Sequence, residues 1–177
     1  MRPMIAVLAA TLLASCSGSR VSQPDQVRRQ PGSWTQVHYI MAYDATDVNG
    51  AMADVVSAGQ AMIGKKDFGG PACLEAATVA KDNLAGRLRE AIQIGPEWSV
   101  KRSTVVDGKV NFLAAMDDPQ MGKGELSITG TISPTTTDLV VTSDARQPAP
   151  GKGHVRTVMK QENTRVGDCT SGEATWE

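Results

Sequence analysis

Residues 98–116 read WSVKRSTVVDGKVNFLAAM, and this stretch decides the fold class of the chain. Two runs rich in apolar and β-branched residues, Trp98–Val106 and Lys109–Met116, flank Asp107-Gly108. An Asp-Gly pair favours a type I′ turn, because both central residues of that turn need a positive φ. The stretch therefore predicts a β-hairpin.

Further strands are predicted on both sides of the hairpin. Before it, apolar residues alternate with polar ones and predict a first strand whose one face carries Val37, Tyr39, Met41 and Tyr43. After it, alternation and turn residues predict strands over Glu125–Ser133, Leu139–Ser143 and His154–Thr164. The short connections between these strands favour antiparallel neighbours.

Between the first strand and the hairpin, the apolar period changes to that of a helix. Residues 48–63 show this spacing, although Gly50 and Gly59 weaken it. Residues 64–71 (GKKDFGGP) predict a loop, and a second amphipathic helix after Cys73 ends near Gly95-Pro96. The predicted fold is α+β: a curved antiparallel meander of about six strands, with one or two amphipathic helices, inserted after strand 1, packed on one face.

The N-terminus resembles the signal peptide of bacterial lipoproteins. An uncharged apolar run over residues 4–14 is too short to span a bilayer, and Leu13-Ala14-Ser15-Cys16 at its end matches a lipobox. In lipoproteins with this signal the chain is cut before the cysteine, whose thiol receives a diacylglycerol, so Cys16 is the predicted lipidation site. By the same resemblance, Ser17 favours the outer membrane. The alternative is an ordinary signal peptide with a chance cysteine.

The chain is predicted to have four parts. They are a lipoprotein signal peptide (1–15), lipidated Cys16 with a flexible polar tether (16–30), one α+β domain (31–169) and a disordered tail (170–177). Arg28-Arg29 in the tether is expected to be solvated. The expected location is the periplasm-facing cell envelope, where the protein contacts the membrane through Cys16.

The cysteine count adds a second prediction. If Cys16 carries lipid, Cys73 and Cys169 have only each other as partners, and an oxidising envelope would join them in a disulfide. Two separate thiols are the alternative. A metal-binding pair is less favoured, because neither cysteine has a histidine or another cysteine near it in the sequence.

Composition and motifs argue against several classes of function. A net charge of −1 gives no basic patch for nucleic acid. Walker A, HExxH, CxxC and Gly-x-Ser-x-Gly patterns are absent from the sequence. The two histidines, His38 and His154, both fall on predicted strands and could face one another across the sheet. We predict no catalytic residue, cofactor or metal, and interpret both histidines as surface or rim residues.

Several landmarks together resemble a known family. They are Pro31-Gly32-Ser33-Trp34, Cys73-Leu74, the Gly-containing hairpin, Ile128-Thr129-Gly130-Thr131-Ile132 and Arg165-Val166-Gly167-Asp168-Cys169. The chain resembles, over residues 31–169, the small bacterial envelope proteins grouped as domain of unknown function 3617. Many members carry a second cysteine pair in the middle strands, which this chain lacks, so only the outer pair carries over. The resemblance implies a compartment and a fold but no activity.

Two functions fit these observations. The favoured one is a non-enzymatic binding or scaffolding module that holds another envelope component. The alternative is a carrier or sensor of an apolar ligand or lipid, because helices over a curved sheet can enclose an apolar cavity.

Overall fold

The computed structural model describes residues 27–47, 50–80, 97–120, 122–147 and 153–175. Within these ranges the chain forms one eight-stranded sheet and two short helices. The strands are β1 (Gly32–Thr46), β2 (Lys66–Leu74), β3 (Trp98–Val106), β4 (Lys109–Asp118), β5 (Gly122–Ile132), β6 (Thr136–Arg146), β7 (His154–Gly167) and β8 (Ala174–Thr175). The helices are α1 (Gly50–Ala61) and α2 (Ala76–Ala80).

The sheet is an antiparallel meander with an extension on one side. Its strand order is β3-β4-β5-β6-β7-β1-β2-β8, so strands β3 to β7 are neighbours in chain order, as predicted. β1 lies beside β7 and pairs with it antiparallel over almost its whole length. The α+β class is confirmed, but the sheet has eight strands instead of about six.

The predicted hairpin is present. β3 and β4 pair antiparallel up to Val106 and Lys109, and the turn residues Asp107 and Gly108 have φ values of 49° and 72°. A Cβ on Gly108 would lie 2.4 Å from the carbonyl oxygen of Ile132, so this position also needs glycine for space. The Asp107-Gly108 pair therefore forms the predicted turn, and Gly108 also lets the turn pack against the end of β5.

One face of strands β3 to β6 carries the larger core. Its centre is Phe112, Ala114 and Ile128, each at most 2% exposed, and Trp98, Val100 and Val141 pack at its edge. A second, smaller cluster consists of Trp34, Leu74 and Val79. The two clusters bury aliphatic residues around a few aromatic ones, because the chain has few aromatic residues to use.

A β-bulge changes the predicted faces of β1. The pairing with β7 shifts between Ile40 and Ala42, so Met41 is an extra residue that is 48% exposed. Beyond the bulge the side chains exchange faces, which separates Tyr43 from Tyr39. The prediction that Val37, Tyr39, Met41 and Tyr43 share a face was therefore wrong, because simple alternation cannot show an inserted residue.

Two segments predicted to lack regular structure form strands. β2 includes most of the predicted loop 64–71 and pairs with β1, from Gly32–Leu74 to Tyr39–Lys66. In the tail predicted to be disordered, β8 pairs in parallel with Ala72 and Cys73. Both segments have weak strand propensity, so backbone pairing with a neighbour, and not local sequence, determines their conformation.

Both predicted helices are present in part, but Met62 and Ile63 lie beyond the end of α1 and Leu74 belongs to β2. α1 falls within the predicted helix over 48–63 and contacts β1. Of the predicted helix after Cys73, α2 is the described part, and residues 81–96 lie outside the described residues. Gly59 of α1 lies against Tyr43, where a Cβ would come within 2.6 Å of the ring. This glycine therefore lets the helix approach the sheet closely.

The segment before β1 does not behave as the predicted tether. Arg29 is 8% exposed, with its guanidinium 6.0 Å from the centre of the Trp34 ring, so the expectation that it is solvated was wrong. The amide of Gln30 donates a hydrogen bond to the carbonyl of Pro134 (2.7 Å), and Val27 packs against the larger core. The described residues before Pro31 therefore pack on the domain instead of extending away from it.

Candidate functional site

The sheet face opposite the larger core carries charged side chains in cross-strand rows, and we call it the polar face. At one end, a row crosses strands β4 to β7 through Asp117, Lys123, Arg146 and His154. The adjacent row contains Glu125, Asp144 and Arg156. Since facing residues of neighbouring strands lie about 5 Å apart, each charge lies close to several others.

These rows border a groove of about 650 Å³, which we call the end groove. It opens where β3 begins and β6 ends. Its lining residues are Glu97, Ser99, Lys101, Ala115, Met116, Asp117, Lys123, Gly124, Glu125, Asp144 and Arg146. The lining therefore combines acidic and basic groups with a small apolar floor.

Ion pairs organise the groove. Lys123 Nζ lies 3.0 Å from Asp117 Oδ2, and both side chains are about 70% exposed. Asp144 Oδ1 lies 3.0 Å from His154 Nε2 and 3.9 Å from Arg146 Nε. The contact between Asp144 and His154 is close but lacks hydrogen-bond geometry. His154 Nε2 is therefore buried without a hydrogen bond in the described part of the chain. The exposed Lys123–Asp117 pair can exchange for ion pairs with a binding partner, because an exposed ion pair contributes little stability.

The two histidines do not meet. His38 pairs with Gln161 near the middle of the β1–β7 ladder, and His154 pairs with Thr46 at one end of it. The register also places the two side chains on opposite faces of the sheet. His38 Nε2 instead lies 2.9 Å from Asp67 Oδ2 on β2, with both side chains exposed. The suggestion that the histidines face one another was wrong, because the register separates them.

A second polar cluster lies near the middle of the polar face. Lys160 on β7 is 17% exposed and donates a hydrogen bond to Asp138 Oδ1 on β6. This hydrogen bond raises the pKa of Lys160 above its usual value, and burial opposes the shift. Tyr39 lies beside Lys160 in the register, and Lys66 Nζ is 5.3 Å from the centre of the Tyr39 ring. These contacts fasten β6, β7, β1 and β2 together.

The predicted disulfide is present between Cys73 and Cys169, with Cα atoms 5.2 Å apart. It joins the end of β2 to the segment that follows β7. The carboxylate of Glu173 lies within 4.8 Å of both sulfur atoms. Thiolates, and not disulfide sulfurs, are the metal ligands that cysteine provides, so this group is not a metal site in the oxidised protein.

Two of the motifs that suggested a family, Pro31-Gly32-Ser33-Trp34 and Arg165-Val166-Gly167-Asp168-Cys169, lie against each other. Arg165 Nε donates a hydrogen bond to the carbonyl oxygen of Pro31 (2.8 Å), and Arg165 Nη2 contacts Asp168 Oδ1 at 2.5 Å. Gly32 has a φ of 142°, and a Cβ there would lie 2.3 Å from the carbonyl oxygen of Gly167. Both motifs therefore build one end of the β1–β7 pair.

The predicted lipidation site, Cys16, lies outside the described residues. Among the helices of the described ranges, none has the length and apolar character needed to cross a membrane.

Comparisons of the chain with protein-family models, with curated proteins and with solved structures gave no significant match.

The sequence alone does not predict the end groove. Glycine-containing segments such as 122–124 and acidic pairs such as Asp117-Asp118 are typical of turns between strands. In the structure, Gly122–Gly124 begins β5, and Asp117 lies opposite Lys123 in the strand pair. The opposite charges of Asp117 and Lys123, at the two ends of a short connection between strands, were the sequence signal that could have indicated this site. The charges that β6 adds depend on its register with β5, which the sequence does not show.

Proposed function

We propose that this protein is a lipid-anchored, non-enzymatic binding module of the bacterial cell envelope, and that the end groove binds its partner. The observation that carries the binding part is the groove itself: a depression of about 650 Å³ with acidic and basic side chains at the open end of a sheet. The side chains of Asp117, Lys123 and Arg146 are each about 70% exposed, so a partner can contact these charges without first unfolding the strands. The partner we propose is another envelope protein.

The disulfide supports the proposed compartment. Disulfides persist in exported proteins and are rare where glutathione and thioredoxin keep thiols reduced. The Cys73–Cys169 bridge is consistent with the export signal predicted at the N-terminus. The export signal, the family membership and the outer-membrane location remain predictions. Anchoring through Cys16 would keep the module at a membrane surface, since two acyl chains bind stably where one binds marginally.

The composition of the groove favours a protein partner over an apolar ligand. An apolar ligand needs a cavity lined mainly by aliphatic and aromatic side chains. The lining of the end groove is instead mostly polar or charged, and Ala115 and Met116 are the apolar residues among its side chains. We propose no catalytic step, because the two histidines lie on opposite faces of the sheet and each contacts a different aspartate.

Membrane fractionation tests the anchor. Wild-type protein should sediment with membranes after export, and Cys16→Ser should be released into the soluble periplasmic fraction. A Cys16→Ser protein that stays in the membrane fraction would show that lipid on Cys16 is not what holds the protein.

Cross-linking from intact envelopes tests the groove. We expect that Lys123→Glu with Arg146→Glu abolishes capture of the partner seen with wild-type protein. The matched control is Lys65→Glu with Lys109→Glu, which makes the same charge change at exposed positions outside the groove and should leave capture intact. Equal capture by both variants would exclude the groove, and a wild-type protein that captures nothing would contradict a binding function.

A further inference from the structure

The N-terminal segment enters the domain at a defined end of the sheet. Val27 Cγ2 lies 3.6 Å from the position of a Cβ on Gly108, in the β3–β4 turn, and Gln30 bonds to Pro134, in the β5–β6 turn. We call the end that carries these two turns the turn end. The end groove lies at the other end, where β3 begins and β4 and β6 finish.

The distance along the strands can be compared with the reach of the tether. β4 runs from the turn end to the groove with ten residues, which is about 30 Å at the usual rise of a strand. Eleven residue steps separate Cys16 from Val27. The polar composition of residues 17–26 predicts a flexible chain, and a flexible chain of that length has a mean reach of roughly 18 Å. This expected reach is shorter than the domain. It is counted only as far as Val27, because Val27 and Gln30 already pack on the sheet.

We propose that the tether keeps the turn end next to the membrane and presents the end groove away from it, toward a partner protein with both acidic and basic surface side chains. The mixed charge of the groove, with Lys123 and Arg146 beside Glu125 and Asp144, fits such a surface better than an anionic lipid headgroup layer. This inference rests on the proposed lipid anchor at Cys16.

Depth-dependent fluorescence quenching tests the orientation. Protein purified with its native anchor is reconstituted in vesicles of phosphatidylethanolamine and phosphatidylglycerol that contain a lipid with a nitroxide on its headgroup. A dye is attached to Thr135→Cys at the turn end or to Gln120→Cys at the groove end, both of which are exposed positions. The dye at residue 135 should be quenched about twofold more strongly than the dye at residue 120, because the tether is shorter than the domain.

A longer tether supplies the control. Inserting a Gly/Ser segment of about 20 residues after Ser22 raises the mean reach to about the length of the domain, and the difference between the dyes should shrink. Equal quenching of the two dyes with the native tether, or stronger quenching at residue 120, would overturn the orientation while the anchor stands. Wild-type protein that does not float with the vesicles would overturn the anchor, and the orientation with it.

Discussion

Lys160 shows how single residues fasten the polar face. The side chain of Lys160 is 17% exposed, and its ammonium group donates a hydrogen bond to Asp138, which raises the pKa of Lys160. Because the folded pKa is then above the unfolded value of about 10.4, the folded state holds the proton more tightly. The stability from this pair is therefore fully present below the unfolded pKa and is lost as the pH rises through the folded pKa.

Replacing the acceptor should remove this pH dependence. We expect Asp138→Asn to lower the free energy of unfolding near pH 7 by about 1 kcal/mol, a modest value because the aspartate is half exposed and screened by water. Urea unfolding in mildly and strongly alkaline buffers should show a smaller loss of stability at high pH in the variant than in the wild type. Asp107→Asn, which retains turn chemistry, is the control and should keep the wild-type profile. An unchanged alkaline loss in Asp138→Asn would contradict the assignment.

Two of the landmark motifs contain a glycine that the backbone geometry requires. Gly130 has a φ of 144°, and a Cβ there would lie 2.0 Å from the carbonyl oxygen of Asp138. Gly32 is in the same backbone region and faces Gly167 at close range. Such positions exclude side chains for geometric reasons. Close backbone packing therefore accounts for glycine at both positions.

At the scale of elements, the contact between α1 and β1 predicts an unusual effect of a helix substitution. Alanine in place of a helical glycine normally stabilises by about 1 kcal/mol. At Gly59 the added Cβ would meet the Tyr43 ring at 2.6 Å. We therefore expect Gly59→Ala to lower the free energy of unfolding by about 1–2 kcal/mol, because the helix must move away from the sheet.

A double-mutant cycle separates the collision from helix propensity. In a Tyr43→Ala background the ring is gone, so Gly59→Ala should be neutral or stabilising when measured by the same denaturant titration. If Gly59→Ala stabilises the protein in the wild-type background, the helix and the Tyr43 ring can separate without loss of stability, and the prediction is wrong.

The elements that the sequence predicts well are those with a strong local signal. The β3–β4 hairpin follows from the Asp107-Gly108 turn and its flanking residues, and strands β5 to β7 follow from alternation. β2 and β8 were missed because Gly69, Gly70 and the polar tail have little strand propensity and gain order from neighbours. The bulge at Met41 was also invisible, because an inserted residue leaves composition unchanged.

The candidate site belongs to the scale of the whole molecule. Its charges come from four strands, β3 to β6, and local sequence placed none of them in a common site. Three of the connections are short, so a cross-strand charge pair such as Asp117–Lys123 could be inferred once the hairpin is accepted. The place of Asp144 and Arg146 beside them depends on the register of β5 with β6, which only the folded sheet provides. In contrast, the pairing of Cys73 with Cys169 follows from the cysteine count once Cys16 is assigned to lipidation.

The disulfide constrains the whole chain, because its cysteines are 96 residues apart. Closing a loop of this length stabilises by about 4–5 kcal/mol in the chain-entropy model, an upper value since strain subtracts. We expect a Cys73→Ser, Cys169→Ser double variant to lose stability approaching this amount in urea titrations. Reduction of the wild-type protein should cause the same loss, because both treatments remove the same constraint on the unfolded chain.

A truncated chain distinguishes the bridge from the strand beside it. Ending the protein after Thr170 removes β8 and its pairing with Ala72 and Cys73 but leaves the disulfide. Since Ala174 and Thr175 are exposed and bury little surface, this truncation should cost about 1 kcal/mol or less. If it instead destabilises as much as the double serine variant does, the stability lies in the added strand, and the loop-closure explanation is wrong. If the truncated and full-length proteins unfold alike while the serine variant unfolds at much lower urea, the bridge is what holds β2 and the end of β7 together across the sheet.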